Sequence, residues 1–86
     1  MEKRIGTLLI VIEESGNISR VNEILSGSSG IIIGRQGIPV RDKGFRIISL
    51  VLEGTTDEIA ALAGRLGRLK GIEIKSVLIK NKRQKP

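Results

Sequence analysis

The residues able to do chemistry are few and poorly matched to one another. Ser15, Ser19, Ser28 and Ser49 could serve as nucleophiles, but the chain has no histidine and no cysteine, so the usual base beside a reactive hydroxyl is missing. The carboxylates Glu13, Glu14, Glu23 and Asp42 are scattered over turns and polar positions. Adjacent Glu13 and Glu14 read as a solvated strand end before they read as an acid–base pair. Without imidazole or thiolate the common ligands of zinc and other transition metals are absent too. The expectation is therefore a non-enzyme with no catalytic residues, no metal and no cofactor. Ligand binding makes better use of what remains. Glu14, Ser15, Gly16 and Asn17 form a polar loop leading into a helix. The free N–H groups there, assisted by Arg35 and Arg41 from a neighbouring strand or subunit, could hold a carboxylate or another small anion. An ordinary capped turn accounts for the same residues.

The elements that must position this loop follow from periodicity. Phe45–Ile79 is the clearest stretch: an apolar run ending at Gly54, a capping box of Thr55 with Glu58, a stripe of Ile59, Leu62, Ala63, Leu66 and Leu69, a stop at Gly71 and a second strand from Ile72. Arg68 and Lys70 are expected in the last helical turn. Earlier, Arg4–Glu13 reads as a strand, and Asn17 caps a short helix facing inward with Ile18, Val21, Ile24 and Leu25. Ser26–Gly30 breaks that helix, Gly30–Ile38 is a weakening edge strand, and Ile38–Gly44 is a loop in which Pro39 denies a ladder bond. Ala60, Gly64 and Gly67 form a strip of small residues that would let the first helix approach closely.

This order, strand–helix–strand–strand–helix–strand, predicts an α+β fold, the ferredoxin-like βαββαβ sandwich with antiparallel sheet order 4-1-3-2 and both helices on one face. The two strands that this order makes central are the two runs apolar on both sides. One face of each is left over. Leu9, Val11, Ile47 and Val51, or the opposite set, would face outward, and a chain of 86 residues has no third layer to cover them. The predicted cover is another copy of the chain, giving a homodimer or tetramer.

Length and charge bound the rest. One domain over residues 1–79 and a basic tail over 80–86 are expected. The formal charge is +6, and Lys80, Lys82, Arg83 and Lys85 supply four of it, so six less four leaves +2 on the remainder. That balance argues against nucleic acid as the main partner. Gly34-Arg35-Gln36-Gly37 resembles the GXXG loop of KH domains, but the helix such a loop needs has no room before the next strand. Phe45 is the single aromatic residue, so the base-stacking platform of RNA-recognition motifs is excluded. No apolar run reaches the ~18–20 residues of a membrane span, and the lack of cysteine suits a reducing cytoplasmic setting.

Several short patterns carry a resemblance that no single one does. They are Val21-Asn22-Glu23-x-Leu25, Arg35-x-Gly37-x-Pro39-Val40-Arg41, Leu50-Val51-Leu52, and Ala61-Leu62-x-Gly64-x-Leu66-Gly67, with Met1-Glu2-Lys3-Arg4 at the start. Together, over nearly the whole chain, they resemble the small family of iron-only hydrogenase system regulators. The resemblance implies a ferredoxin-like domain akin to ACT regulatory domains and to the C-terminal domain of the nickel-responsive repressor, assembled through its sheets. It also implies a role beside the maturation or expression of iron-only hydrogenase. The nickel-responsive relatives hold metal with histidine and cysteine, so nickel sensing does not carry over to this chain. No ribbon-helix-helix segment is present either, and any regulation of transcription would run through a partner. Three functions are open: an oligomeric module sensing a small-molecule effector, an interaction domain with no small ligand, and a weak nucleic-acid binder acting through its tail.

Overall fold

Strict alternation along the two central strands decides the architecture, because it sends every second residue to a face the helices can cover. The computed structural model describes residues 2–79, so the expected tail 80–86 lies outside the described residues. Its elements are β1 (Arg4–Ile12), α1 (Ile18–Gly27), a short 3-10 turn (Ser29–Ile31), β2 (Ile32–Val40), β3 (Phe45–Gly54), α2 (Thr56–Gly67) and β4 (Ile72–Leu78). The strands form one sheet in the order β2-β3-β1-β4, every neighbouring pair antiparallel. Read from the other edge this is 4-1-3-2, the order expected of the ferredoxin-like α+β fold.

Leu8, Ile10 and Ile12 of β1 and Ile48, Leu50 and Leu52 of β3 are buried in one cluster with Val21, Ile24 and Leu25 of α1 and Ile59, Leu62 and Leu66 of α2. Both helices therefore cover the same face of the sheet. Each such side chain contributes about 1.5–3 kcal/mol through burial. The helix starts are written locally. The Arg20 N–H donates to Asn17 Oδ1 at 3.0 Å. Thr55 Oγ1 accepts from the Glu58 N–H at 3.1 Å while Glu58 Oε1 accepts from the Thr55 N–H at 2.8 Å, a reciprocal capping box.

Four details differ from the sequence expectation. The second strand begins at Ile32 and runs through Pro39 to Val40, rather than ending at Ile38 before a loop. Pro39 stands opposite Arg46 on the sheet edge, where a proline whose missing N–H faces outward costs no ladder bond. The same edge carries a register shift between Ile32 and Gly34, leaving Ile33 59% exposed. Helix α2 stops at Gly67, so Arg65 rather than Arg68 or Lys70 occupies its last turn. Gly71 still has a left-handed φ of 76°, but it uses it in the turn to β4. Lastly, the strip Ala60–Gly64–Gly67 does not receive α1. A Cβ added at Gly64 meets nothing within 4 Å, and one at Gly67 approaches only Ile74 Cδ1 of β4, at 3.7 Å. The helices meet instead through the larger apolar residues of the core, which leaves the small flank outward.

Among the described residues nothing covers the other face of the sheet. Leu9, Val11, Ile47 and Val51 all lie on it, with Val11 opposite Ile47 and Thr7 opposite Val51 in the β1–β3 ladder. Ile38 extends the Val11–Ile47 row across β2, and Val77 extends the Thr7–Val51 row across β4. Leu9 is 43% exposed, Val51 41% and Val77 61%. Among the described residues no helix is long and apolar enough to cross a membrane.

Candidate functional site

The β1–α1 loop is built tightly. Gly16 N–H donates to Glu13 O at 2.7 Å, and Glu13 N–H donates to Gly71 O at 2.8 Å, tying this loop to the α2–β4 turn. A Cβ at Gly16 would stand 3.0 Å from Gly71 O and 2.8 Å from Ile12 Cγ2, so the two loops pack backbone on backbone only because both contacts are made by glycine. Asn17 spends its side-chain oxygen on the helix cap.

Facing this loop is the β2–β3 hairpin, whose turn over residues 41–44 is closed by Lys43 and Gly44 N–H groups donating to Val40 O. Between loop and hairpin lies a cavity of about 500 Å³, bordered by Glu14, Gly16 and Arg41, with Ile18 and Phe45 among its apolar walls and Arg46 entering from β3. A second cavity of about 220 Å³ adjoins it along α1, and the two share Ile18, Pro39 and Arg46. It contains Arg35, whose Nη2 donates to Asn22 Oδ1 at 2.7 Å.

Of the six residues expected at a ligand site, Glu14, Gly16 and Arg41 are thus brought around one cavity. Ser15 borders an open depression next to it, with Lys43 on the far side. Asn17 is occupied by capping, and Arg35 belongs to the adjoining cavity. The residues missed are Arg46, Phe45 and Asn22. Arg46 had a signal: it alternates in phase with Ile48, Leu50 and Leu52, which puts a guanidinium on the helix-covered side of β3. The cavity exists because the helix layer stops over β3, so that Arg35, Gly37 and Pro39 on the inner side of β2 remain exposed.

The single salt bridge among the described residues joins Arg20 to Glu23 at 2.8 Å on the exposed side of α1, and Arg35, Arg41 and Arg46 have no ionic partner among those residues. No group of three or more acidic side chains is close enough to hold a metal ion among them either. Chemically the arrangement can recognise an anion against an apolar wall, and it presents no nucleophile–base pair.

Residues 4–76 match the model of the TM1266-like family, described as "Iron-only hydrogenase system regulator, putative". This chain belongs to that family. The TM1266-like assignment is matched in three dimensions by the structure of uncharacterized protein TM1266 from Thermotoga maritima. That protein is 42% identical, with a TM-score of 0.88, and the match covers 92% of this chain and 100% of that one. The solution structure of the C-terminal domain of the MgtC protein from Mycobacterium tuberculosis has a TM-score of 0.69 at 10% identity, covering 95% of this chain and 94% of that one, a likeness of fold. No curated protein matches the sequence significantly.

Proposed function

We propose that this TM1266-like chain is a non-enzymatic regulatory domain of an iron-only hydrogenase system, a cytoplasmic homodimer or tetramer that senses a small-molecule effector. Family membership supports the regulatory role. The observation that carries the assembly is the uncovered apolar face made by Leu9, Val11, Ile47 and Val51 and extended by Ile5, Ile38 and Val77. Four strands ~4.8 Å apart and about eight residues long give a face on the order of 500 Å², shared between these apolar residues and the polar Thr7, Gln36, Ser49, Glu73 and Lys75. The effector site of this reading is the cavity between the β1–α1 loop and the β2–β3 hairpin, beside Glu14 and Arg41.

Sedimentation velocity on the full chain tests the assembly. A dimer or larger species is expected at about 10–100 μM, the concentration range in which surplus burial over association cost becomes visible. Leu9→Lys should shift it toward monomer. Wild-type protein that stays monomeric at about 100 μM overturns the reading. Effector sensing is tested by thermal shift against amino acids, nucleotides and hydrogenase-maturation metabolites, since a ligand of the native state raises the melting temperature. A silent panel favours an interaction domain without a small ligand.

A further inference from the structure

The two adjoining cavities are one groove with a chemical direction. On the inner side of β2 the consecutive positions are Arg35, Gly37 and Pro39, opposite Leu50, Ile48 and Arg46 of β3. Arg46 and Arg35 therefore stand at either end of the Gly37–Ile48 pair, four residues or ~13 Å apart along the strands, and both border the same cavity. The floor between them is bare, because a Cβ added at Gly37 meets nothing within 4 Å. Arg35 is already held over this floor by its 2.7 Å bond to Asn22 Oδ1, which leaves the Asn22 amide N–H groups as further donors. No carboxylate borders this half of the groove. The acidic residues Glu13 and Glu14 border the other cavity, together with Arg41.

We infer that the groove binds a small amphipathic anion, with a carboxylate or phosphate head between Arg35 and Arg46 above Gly37 and an apolar body lying on Ile18 and Pro39, which border both cavities. This names a ligand class for the effector-sensing part of the reading above and rests on that part. Guanidinium groups present paired donors that match two-oxygen heads. The apolar wall then discriminates such a ligand from free inorganic anions.

The test is an amide chemical-shift titration of the full chain with benzoate, phenyl phosphate, inorganic phosphate and the neutral isostere benzamide. Benzoate or phenyl phosphate should move the amides of Asn22, Gly37, Ile38 and Arg46 saturably at millimolar concentration, and whichever binds tighter identifies the head group. Benzamide and inorganic phosphate should each bind at least about tenfold more weakly. Arg46→Gln and Arg35→Gln should each cost about tenfold, whereas Arg65→Gln on α2 should change nothing. Equal binding of benzamide, shifts centred on Leu9 and Val51, or no saturable shift at about 20 mM probe would overturn the assignment. Sedimentation is measured without these probes, so a failed titration leaves the oligomer reading standing on its own result.

Discussion

Gly64→Ala offers the sharpest check on how α2 sits. Glycine inside a helix costs about 0.8–1 kcal/mol against alanine, and here the added methyl meets no atom within 4 Å. Nothing among the described residues offsets the propensity gain, so the variant should be more stable by about 1 kcal/mol. At ~2.1 cal/mol/K of unfolding entropy per residue, 86 residues give roughly 180 cal/mol/K, and the melting temperature should rise by about 5 °C. Thermal unfolding followed by circular dichroism at fixed protein concentration reads this directly, and fixed concentration is needed because assembly couples to unfolding. An unchanged or lowered melting temperature refutes the reasoning. If sedimentation also shows a smaller species, the small flank Ala60–Gly64 is itself a contact between copies.

Three other expectations are simpler. Thr55→Ala removes the acceptor for the Glu58 N–H and should cost about 1 kcal/mol in urea unfolding; no loss would mean the cap is idle. Gly71→Ala must adopt a φ near 76° and place a Cβ 2.9 Å from both the Cα and N of Gly16. It should lose about 2–4 kcal/mol, and a midpoint within error of wild type would show that the two loops separate freely. Leu9→Lys puts a charge on the uncovered face twice over in a two-fold dimer. At roughly 1 kcal/mol for each half-exposed leucine it should weaken association by at least about 30-fold, and an unchanged dissociation constant by sedimentation would move the interface elsewhere.

The order of elements could be read from sequence because it was written redundantly. The double-sided apolar runs of β1 and β3 marked the central strands, and Asn17 and the Thr55–Glu58 pair marked where helices begin, through bonds that reach only three residues. What could not be read depended on lateral position. Pro39 looked like a strand breaker because its effect depends on which side of the ladder its nitrogen faces, and that follows from the register of β2 against β3, which its expected place at the edge did not give. The glycines of α2 looked like a packing surface because spacing gives a flank without saying what lies beyond it. The candidate site suffered in the same way. Glu14, Gly16 and Arg41 were found near one another, yet Arg46 and Phe45 were missed, because the groove is made by α1 failing to reach across β2, a matter of helix placement rather than of any local pattern.

The place of β1 at the middle of the sheet also governs how the chain is made. Its partners are β3, some forty residues away, with Ile10 against Ile48, and β4, more than sixty away, with Ile10 against Ile74. The β3 flank of the first strand cannot close before Gly54 is available, nor the β4 flank before Leu78, so loop closure has to be completed before its ladders form. During synthesis the first strand emerges with an apolar run on both sides and waits for its partners longer than any other element. The β2–β3 hairpin, joined by a short turn, can form while it waits. A pulse-labelled nascent chain should therefore show hairpin protection first and protection of the β1–β4 ladder last, and until that final strand arrives one flank of β1 stays open to aggregation.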